Sequence, residues 1–435
     1  MRSINHCFSE IFLIFLLLFG MIFCFEGLYA SSPGQFVIQS DSANFVLYQG
    51  KVMNHKNGNP LAFASIMLKG SNISTITNSE GTFSIKIPLN LLDGNLMVTF
   101  MGYRNKISSI SSLNPESSIF KLDELTVMLP EISVVFNDAT SLILAVLKKK
   151  KDNYQNNSAS MTAFYRETIK KRKTYVSLLE AVVNVNRSPY TSTREDIASL
   201  YKARKSTDYQ KLDTLIFKLM GGPYNTLHAD VMKYTDDIFD VSMMNSYEFS
   251  FDMATRIDDR IIYVVNFKPL SSISEPMCYG KLYIDSESLT MISAVYSLTL
   301  NNRDAVSEIF IKKRPLNAKV YPTKFNVRAD YLQKDGRWYL GYSRVELDIH
   351  IDWKRKLFNT NYGSVMEMAV TDWVFPEEGE KLSIPKERLR PSTVISDEAA
   401  GFADPDFWGD YNVIEPEKSI ESAIIKIQRQ LKKPH

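Results

Sequence analysis

The chain has few of the residues that form covalent cross-links or bind metals. Its 435 residues include only 3 cysteines and 5 histidines. If residues 1–30 are removed as a signal peptide, Cys7 and Cys24 are lost and only Cys278 remains. A single thiol cannot form an internal disulfide. The histidines of the mature chain are not spaced as zinc ligands; they are His55, His228, His350 and His435. We therefore expect no disulfide, no structural or catalytic metal and no other cofactor.

The sequence also lacks a strong net charge and the motifs of common enzyme classes. The formal net charge is +2, so no overall field attracts the protein to nucleic acid. There is no Gly-x-Ser-x-Gly elbow, no phosphate-binding glycine loop and no His-Glu pair of a zinc peptidase. Two basic runs, Lys148–Lys151 and Lys170–Lys173, are interpreted as a solvated face or hairpin tip rather than a nucleic-acid or membrane patch. We expect a non-enzymatic protein without a nucleic-acid partner.

Long apolar runs are absent apart from one near the N-terminus. Residues 11–25 are mostly apolar, follow Arg2 and precede the small residue Ala30. This run is shorter than the about 20 apolar residues that span a membrane. The arrangement predicts a signal peptide over residues 1–30.

The mature chain is then expected to begin near Ser31, with a polar leader over residues 31–45. An uncleaved anchor helix is one alternative. Lipidation of Cys24 is another, although Phe23 stands where a lipobox has a small residue.

After this leader the sequence has a series of short strand signals separated by turns. Turn-forming residues occur at Asn57–Pro60 and at Asn78–Gly81. Phe83, Ile85 and Ile87 alternate with polar residues, as expected for a strand with one buried face. Short strands with frequent turns are typical of a β-sandwich.

The order of these motifs resembles the carboxypeptidase-regulatory-like domain over residues 46–130. The matching segments are Gly50-Lys51-Val52, Pro60 to Ile66, Gly70, Thr77 to Phe83 and Gly102-Tyr103. Asn78 stands where that family often has Asp, at a turn that accepts either residue. The resemblance implies a transthyretin-like sandwich without peptidase activity. It also implies a surface protein of Bacteroidetes-type bacteria, in which this domain commonly opens TonB-dependent receptors and other envelope proteins.

The region at 131–376 is predicted to be an antiparallel, β-rich α+β domain. Helical spacing of apolar residues predicts a helix over residues 138–151, and a polar helical or loop insertion is expected between about 190 and 245. Asp335-Gly336 predicts a two-residue hairpin turn. The apolar residues beyond it change phase, which predicts a bulge near Ser343-Arg344, because side chains along a strand alternate with a period of two.

The long amphipathic strands and the preceding helix resemble the half-barrel of periplasmic lipoprotein-carrier proteins. The resemblance rests on this architecture and on the run Phe164-Tyr165-Arg166-Glu167. One apolar surface of the sheet is predicted to pack against a helix or to form a groove for an apolar ligand. Its residues are Phe325, Val327, Tyr331, Trp338, Leu340 and Tyr342. A fully packed core without a groove is the alternative.

The tail at 377–435 is rich in proline and acidic residues. It is predicted to end in a helix that begins after Pro416, with an apolar stripe formed by Ile420, Ile424, Ile427 and Leu431. The segment from Asp404 to Tyr411 is interpreted as a loop that docks through its aromatic residues. A calcium or carbohydrate site is the alternative, but EF-hand spacing is absent.

One strand carries acidic residues and a histidine with a period of two. They are Glu346, Asp348, His350 and Asp352. Such a set could bind a divalent cation, but ligands two residues apart on a strand are separated by about 7 Å, so a metal would need further ligands from elsewhere. We interpret the set as a solvent-facing part of the strand.

Together these features predict a mainly β protein with an N-terminal transthyretin-like sandwich, an antiparallel half-barrel-like sheet with covering helices, and a C-terminal helix. The preferred function is a non-enzymatic binding or scaffold role, exported to the periplasm or the outer membrane. Expected partners are an outer-membrane protein or a lipid or peptide ligand, with peripheral membrane association. The alternatives are a receptor component associated with an outer-membrane β-barrel, and a hydrolase that uses scattered acidic residues.

Overall fold

The structure, a computed structural model, describes most of the chain after its N-terminal region. The described residues are 44–125, 136, 138–207, 222–234, 239, 241–270, 275–310, 318–354, 359–376, 382, 385–391, 393, 400–401 and 407–431. The predicted signal peptide and nearly all of the polar leader lie outside these residues. Within the described ranges, no helix combines the length and the apolar character needed to cross a membrane.

Most of the described secondary structure is β. The strands are β1 (Phe45–Asn54), β2 (Ser65–Leu68), β3 (Ser74–Ile76), β4 (Thr82–Pro88), β5 (Asn95–Thr99), β6 (Lys106–Ser109), β7 (Ser118–Leu122), β8 (Ala159–Lys171), β9 (Thr174–Arg187), β10 (Ile197–Thr207), β11 (Tyr247–Ile257), β12 (Arg260–Pro269), β13 (Cys278–Asp285), β14 (Thr290–Leu298), β15 (Ala318–Lys334), β16 (Arg337–Trp353), β17 (Thr360–Val374) and β18 (Ala400–Gly401). The helices are α1 (Ala139–Asn153), α2 (Pro223–Leu227), α3 (Val241–Met244), α4 (Arg303–Phe310) and α5 (Lys418–Leu431).

The first seven strands form the predicted β-sandwich. One sheet has the order β4-β1-β7, and the other has the order β3-β2-β5-β6. Phe83, Ile85 and Ile87 point into the core between the sheets and are almost fully buried, so this part of the prediction is confirmed. A Cβ atom at Gly50 would come within 2.1 Å of the Ser118 carbonyl oxygen and within 2.8 Å of the Phe83 ring. Glycine is therefore needed on β1 to let the backbone of β7 and this ring approach.

Replacing Phe83 with Ala should lower the free energy of unfolding by about 3–5 kcal/mol, because the change removes a buried aromatic ring and leaves a cavity. Urea denaturation followed by circular dichroism measures the loss. Ile119→Ala, on the same sandwich but 59% exposed, is the control and should change stability by less than about 0.5 kcal/mol. A loss below about 1 kcal/mol for Phe83→Ala would mean that the wrong face of β4 has been assigned to the core.

The long strands after α1 form one sheet of eleven strands. Its order is β11-β12-β13-β14-β15-β16-β17-β8-β9-β10-β18, and the pairs are antiparallel except β10 with β18. We call the surface against which α1 packs the helix face. The opposite surface, against which the sandwich and the tail pack, is the sandwich face. The predicted antiparallel sheet with covering helices is therefore confirmed.

Helix α1 begins and packs as its sequence indicates. The Asp138 side chain accepts a hydrogen bond from the Ser141 N–H, as an N-cap residue does. Leu142, Ile143 and Val146 are fully buried in the core on the helix face. The predicted helix is confirmed and extends two residues further, to Asn153.

Two hairpin turns lie where the sequence indicates. Asp335 and Gly336 both have positive φ, 49° and 76°, as a two-residue type I′ turn requires. The turn between β8 and β9 contains Arg172, also with a positive φ of 56°. The basic run at residues 170–173 is thus a hairpin tip.

The bulge in β16 lies earlier than predicted. The register with β15 shifts by one residue at Gly341, not near Ser343-Arg344. A Cβ atom at Gly341 would come 2.4 Å from Leu332 Cγ, so only glycine allows this close approach. Because a one-residue shift exchanges the two faces of a strand, Tyr342 points to the sandwich face.

The predicted insertion between about 190 and 245 contains a strand. Strand β10 pairs with β9 from end to end, so the expectation of helix or loop is wrong there, whereas α2 and α3 agree with it. The segment was expected to be helix or loop because residues such as Lys202 and Arg204 make its sequence polar. In the structure Lys202 Nζ donates to the Phe407 carbonyl, and the Arg204 guanidinium lies 4.8 Å from the Trp408 ring centroid.

The tail is hydrogen-bonded to the sandwich. The Asn412 side chain accepts a bond from the Lys86 N–H and donates one to the Lys86 carbonyl, at 2.6 and 3.3 Å. Asn78 Nδ2 donates to the Glu415 carbonyl at 3.2 Å. The turn at Asn78 that identified the sandwich therefore also binds the tail.

The tail also packs on the large sheet. The Trp408 ring meets the Phe164 ring edge-on with centroids 5.6 Å apart, and Ile420 of α5 is buried against Leu178. Aromatic docking of this segment and the C-terminal helix are thus confirmed. Asp404 and Asp406 lie outside the described residues.

Candidate functional site

Five of the six residues predicted to form an apolar surface lie together on the helix face. They are Phe325, Val327, Tyr331, Trp338 and Leu340. The prediction is wrong for Tyr342, because the bulge at Gly341 turns this residue to the sandwich face, where it packs with Phe164.

The helix face is covered by apolar side chains from α1, from α2 and from the segment that follows α2. Leu142 of α1, Leu227 of α2 and Met232 are fully buried in the same core. The Tyr331 hydroxyl donates a hydrogen bond to Asp230 at 2.7 Å, which holds the segment after α2 on the sheet. These side chains form a packed core, and a ligand groove on this face stays a prediction.

A buried charge cluster that no sequence motif indicates accompanies this core. Arg187 Nη1 lies 3.0 Å from Asp196 Oδ2, and Arg187 Nη2 also pairs with Asp230. The Tyr190 hydroxyl donates to Asp230 at 2.7 Å. All three charged side chains are fully buried, so each depends on its partners to replace water.

Five charged residues form a ladder of alternating sign across the sandwich face. They are Arg344 on β16, Glu367 on β17, Arg166 on β8, Glu180 on β9 and Arg204 on β10, and each stands directly opposite the next in the strand register. Neighbouring side chains approach to between 2.7 and 3.3 Å. The ladder joins five adjacent strands through side chains as well as through backbone hydrogen bonds.

Arg166 is the centre of this ladder. Its guanidinium donates to Glu180 at 2.8 Å, to Glu367 at 3.3 Å and to the Ile414 carbonyl at 2.6 Å. Burial lowers the pKa of Arg166, but the charges of Glu180 and Glu367 outweigh this effect and the net pKa is raised. The third bond fixes the tail to the sheet.

Between the sandwich and the sheet lies a cavity of about 210 Å³. Met67 and Met97 of the sandwich line it, together with Ile257, Ile292 and Leu332 of the sheet. Of the predicted apolar surface, Tyr342 borders the cavity from the sandwich face. Tyr331 and Trp338 also touch it, although their side chains belong to the core of the helix face. The rest of the lining includes polar and charged side chains, among them Asn105, Arg260, Arg328 and Asp330. An apolar surface beside fixed polar groups is typical of a small-molecule site. We therefore take this cavity, named here the apolar cavity, as the candidate functional site.

Phe63 holds the sandwich against the sheet at the wall of the apolar cavity. Its φ of 65° lies in the left-handed region, which costs a non-glycine residue about 1 to 3 kcal/mol. The ring stacks on Tyr342 with centroids 5.9 Å apart. The guanidinium groups of Arg328 and Arg344 lie 5.6 and 5.2 Å from the Phe63 ring centroid. These contacts offset the backbone strain.

The acidic set on β16 is not part of the described lining of the apolar cavity. Glu346 pairs with Lys324 and Arg344 at 2.7 and 3.0 Å, and His350 Nδ1 lies 2.6 Å from Asn361 Oδ1. Burial raises the pKa of Asp348. Among the residues that the structure describes, no three His, Cys, Asp or Glu side chains are grouped as metal ligands.

The sandwich is similar to a known protein family. Residues 48–134 match the family model of the CarboxypepD_reg-like domain. The resemblance inferred from the turns and strands of residues 46–130 is thus confirmed for this part of the chain. No curated protein matches the chain.

Three solved structures are similar to parts of the chain. A DUF1329 family protein from Desulfovibrio piger is 11% identical, with a TM-score of 0.23 over 56% of this chain and 96% of that one. A LolA superfamily protein from Nitrosomonas europaea is 11% identical, with a TM-score of 0.20 over 56% and 95%. A 9R-lipoxygenase from Cyanothece is 10% identical, with a TM-score of 0.16 over 78% and 43%. TM-scores this low do not support a conclusion about the fold or the function of this chain.

Replacing Arg166 with Met should lower the free energy of unfolding by about 2–4 kcal/mol, because Glu180 and Glu367 each lose one of two guanidinium partners and the Ile414 carbonyl loses its donor. Thermal and urea denaturation measure the loss. Lys268→Met is the control, since it removes an exposed ion pair with Glu248 and should cost no more than about 1 kcal/mol. Equal effects of the two changes would contradict the central role of Arg166.

Glu167, on the helix face, makes a pH-dependent contribution to stability. Burial raises the pKa of Glu167 to about 7, and the Tyr165 hydroxyl, which donates at 3.0 Å, partly opposes this shift. Because the folded pKa lies above the unfolded value, the stabilisation is complete below about pH 4.5 and is lost as the pH rises through about 7.

Glu167→Gln should remove this dependence, because Gln does not ionise. Relative to the wild type, its free energy of unfolding should rise by about 2 to 3 kcal/mol between about pH 5 and pH 8. Denaturation curves at several pH values measure the difference. Glu116→Gln changes an exposed position and is the control. Its free energy of unfolding should depend on pH in the same way as that of the wild type. If the difference in free energy of unfolding between Glu167→Gln and the wild type were the same at every pH, Glu167 would ionise normally in the folded protein.

Proposed function

We propose that this protein is a non-enzymatic binding protein of the bacterial envelope that holds a small apolar ligand in the apolar cavity. The site lies between the sandwich and the large sheet rather than between the sheet and α1. The observation that carries the proposal is an apolar-lined space of about 210 Å³ where two packed modules meet. Junctions between folded units are a preferred place for ligand sites.

The size and lining of the apolar cavity favour a short acyl chain or one aromatic ring. A buried cavity of about 150 Å³ lined by aliphatic and aromatic side chains stays dry and binds benzene. Met67 and Met97 lie directly opposite each other on β2 and β5. Methionine side chains adapt to ligands of different shape because they are flexible and polarisable.

The pairing of the charged side chains that line the cavity supports binding rather than catalysis. Arg328 Nε pairs with Asp330 Oδ2 at 2.6 Å, and Ser293 donates to the other oxygen of Asp330 at 2.6 Å. Arg260 pairs with Asp285 at 2.9 Å. These side chains are already paired with one another through hydrogen bonds and ion pairs. A catalytic acid or base instead needs a free side chain within reach of the substrate.

Export to the periplasm or the outer membrane is the other part of the proposal. The apolar run at residues 11–25, followed by Ala30, has the layout of a signal peptide. The match of residues 48–134 to the CarboxypepD_reg-like domain accords with the resemblance to envelope proteins. Amino-terminal sequencing of protein from an envelope fraction should find a chain that begins near Ser31, and an intact Met1 would contradict cleavage.

A single-ring apolar ligand, toluene, tests the cavity by isothermal titration. The wild type should bind about one equivalent, and Met97→Trp should weaken binding at least about tenfold because the indole fills the space. Met253→Trp makes the same change at a position that is 67% exposed, and its binding should equal that of the wild type. Unchanged binding by Met97→Trp, with an unchanged melting temperature, would contradict the site.

A further inference from the structure

One wall of the apolar cavity carries the side chain of Arg328. Its Nε atom donates a hydrogen bond to Asp330 Oδ2 at 2.6 Å. Its Nη1 and Nη2 atoms donate no hydrogen bond to any residue in the described part of the chain, and 28% of the side-chain surface is accessible. Because a guanidinium group has several N–H donors in a fixed fork, most of the hydrogen-bonding capacity of Arg328 is open to a ligand.

The contacts of Arg328 hold its guanidinium group beside the cavity. The group lies 5.6 Å from the centroid of the Phe63 ring, and this ring also lines the cavity. Asp330 is held in turn by Ser293, whose hydroxyl donates to the second carboxylate oxygen at 2.6 Å. A donor that is already fixed in place loses little conformational freedom when a ligand binds.

Arg328 remains charged at this position. Burial lowers the pKa of its guanidinium group, but the charge of Asp330 outweighs this effect and the net pKa is raised. The fork is therefore a cationic donor at neutral pH.

A second guanidinium group lies opposite Arg328. Arg344 on β16 is the direct partner of Arg328 in the strand register, and its guanidinium group lies 5.2 Å from the same Phe63 centroid. Like charges that stand directly opposite on paired strands are destabilising. Arg344 has two carboxylate partners, Glu346 at 3.0 Å and Glu367 at 3.1 Å, whereas Asp330 is the one ion-pair partner of Arg328 among the described residues. An anion at the Nη atoms of Arg328 would reduce this repulsion.

The third charged residue of the described lining is Arg260. Its Nη1 atom pairs with Asp285 at 2.9 Å, and its side chain is 36% exposed, so water competes for its remaining donors. The Asn105 side chain donates to Asp258. Its Oδ1 atom is buried and accepts no hydrogen bond within the described part of the chain, so it could accept one from a water molecule or a ligand hydroxyl. Arg328 is therefore the charged donor best placed to bind an anionic ligand.

We propose that the ligand of the apolar cavity is an apolar carboxylic acid, bound as its carboxylate by Arg328. This inference rests on the proposed function and adds the chemical class of the ligand. A carboxylate accepts two parallel hydrogen bonds from a guanidinium fork. The ring or short acyl chain of the ligand then lies against Met67, Met97 and Ile292, which line the same cavity.

Isothermal titration of the intact chain at neutral pH with toluene and with benzoate tests this class. The two probes share one ring and differ in a methyl or a carboxylate group. The wild type should bind benzoate at least about tenfold more tightly than toluene, because charge-assisted hydrogen bonds form away from bulk water. In Arg328→Gln the ratio of the two affinities should fall to about one. Arg194→Gln removes the same charge at an exposed position outside the described lining, and this matched control should keep the ratio within about twofold.

The two probes separate failure of this inference from failure of the proposed function. If the wild type binds toluene but does not bind benzoate more tightly, the carboxylate class is overturned and the proposed function stands. If neither probe binds, both are overturned. A ratio that stays high in Arg328→Gln, or that falls equally in Arg194→Gln, also overturns the role of Arg328.

Crystals of the wild type soaked with 4-bromobenzoate give a readout that does not depend on the folding of a variant. The carboxylate should lie within about 3 Å of Arg328 Nη1 and Nη2, and the anomalous signal of bromine should lie against Met67 and Met97. Bromine beside Arg328, or no bromine in the cavity, would overturn the inference.

Discussion

The arrangement of this protein depends on one guanidinium group that is buried between two carboxylates. Arg166 bonds to Glu180 on one neighbouring strand, to Glu367 on the other and to the Ile414 carbonyl of the tail. Taking these charges out of water costs several kcal/mol for each ion. That cost is offset only when sheet and tail are assembled, so the ladder couples these two parts of the chain. Arg344, at one end of the ladder, reaches the sandwich through the Phe63 ring.

The apolar cavity follows from the same face of the sheet. The bulge at Gly341 turns Tyr342 toward the sandwich, where its hydroxyl donates to Glu367 at 3.0 Å and its ring stacks on Phe63. The ladder and this aromatic contact hold the sandwich at a fixed place on the sheet. Beside them, flexible methionines face aliphatic side chains across a space that neither module fills alone.

Local patterns in the sequence predicted the local structure well. The alternation at Phe83, the turn at Asp335-Gly336 and the helix after Asp138 each depend on residues close together in the chain. The apolar residues of β16 also predicted a bulge, but its position depends on the approach of Leu332 to Gly341. Since that contact forms only when the strands pair, the sequence pattern alone placed Tyr342 on the wrong face.

Features that join distant segments could not be predicted in this way. Arg166 and Glu367 are 201 residues apart, and Arg166 and Ile414 are 248 residues apart, so no spacing rule relates them. Strand β10 was missed for a similar reason, because Lys202 and Arg204 look solvent-exposed until the tail covers them. The apolar cavity likewise exists only after the two modules meet.

The most direct test of this account is the electron density of crystals held under xenon pressure, since xenon enters dry apolar cavities. The account predicts a xenon atom between Met97, Ile292 and Leu332, with no ordered water in the same place. A cavity filled with hydrogen-bonded water and without xenon would contradict it.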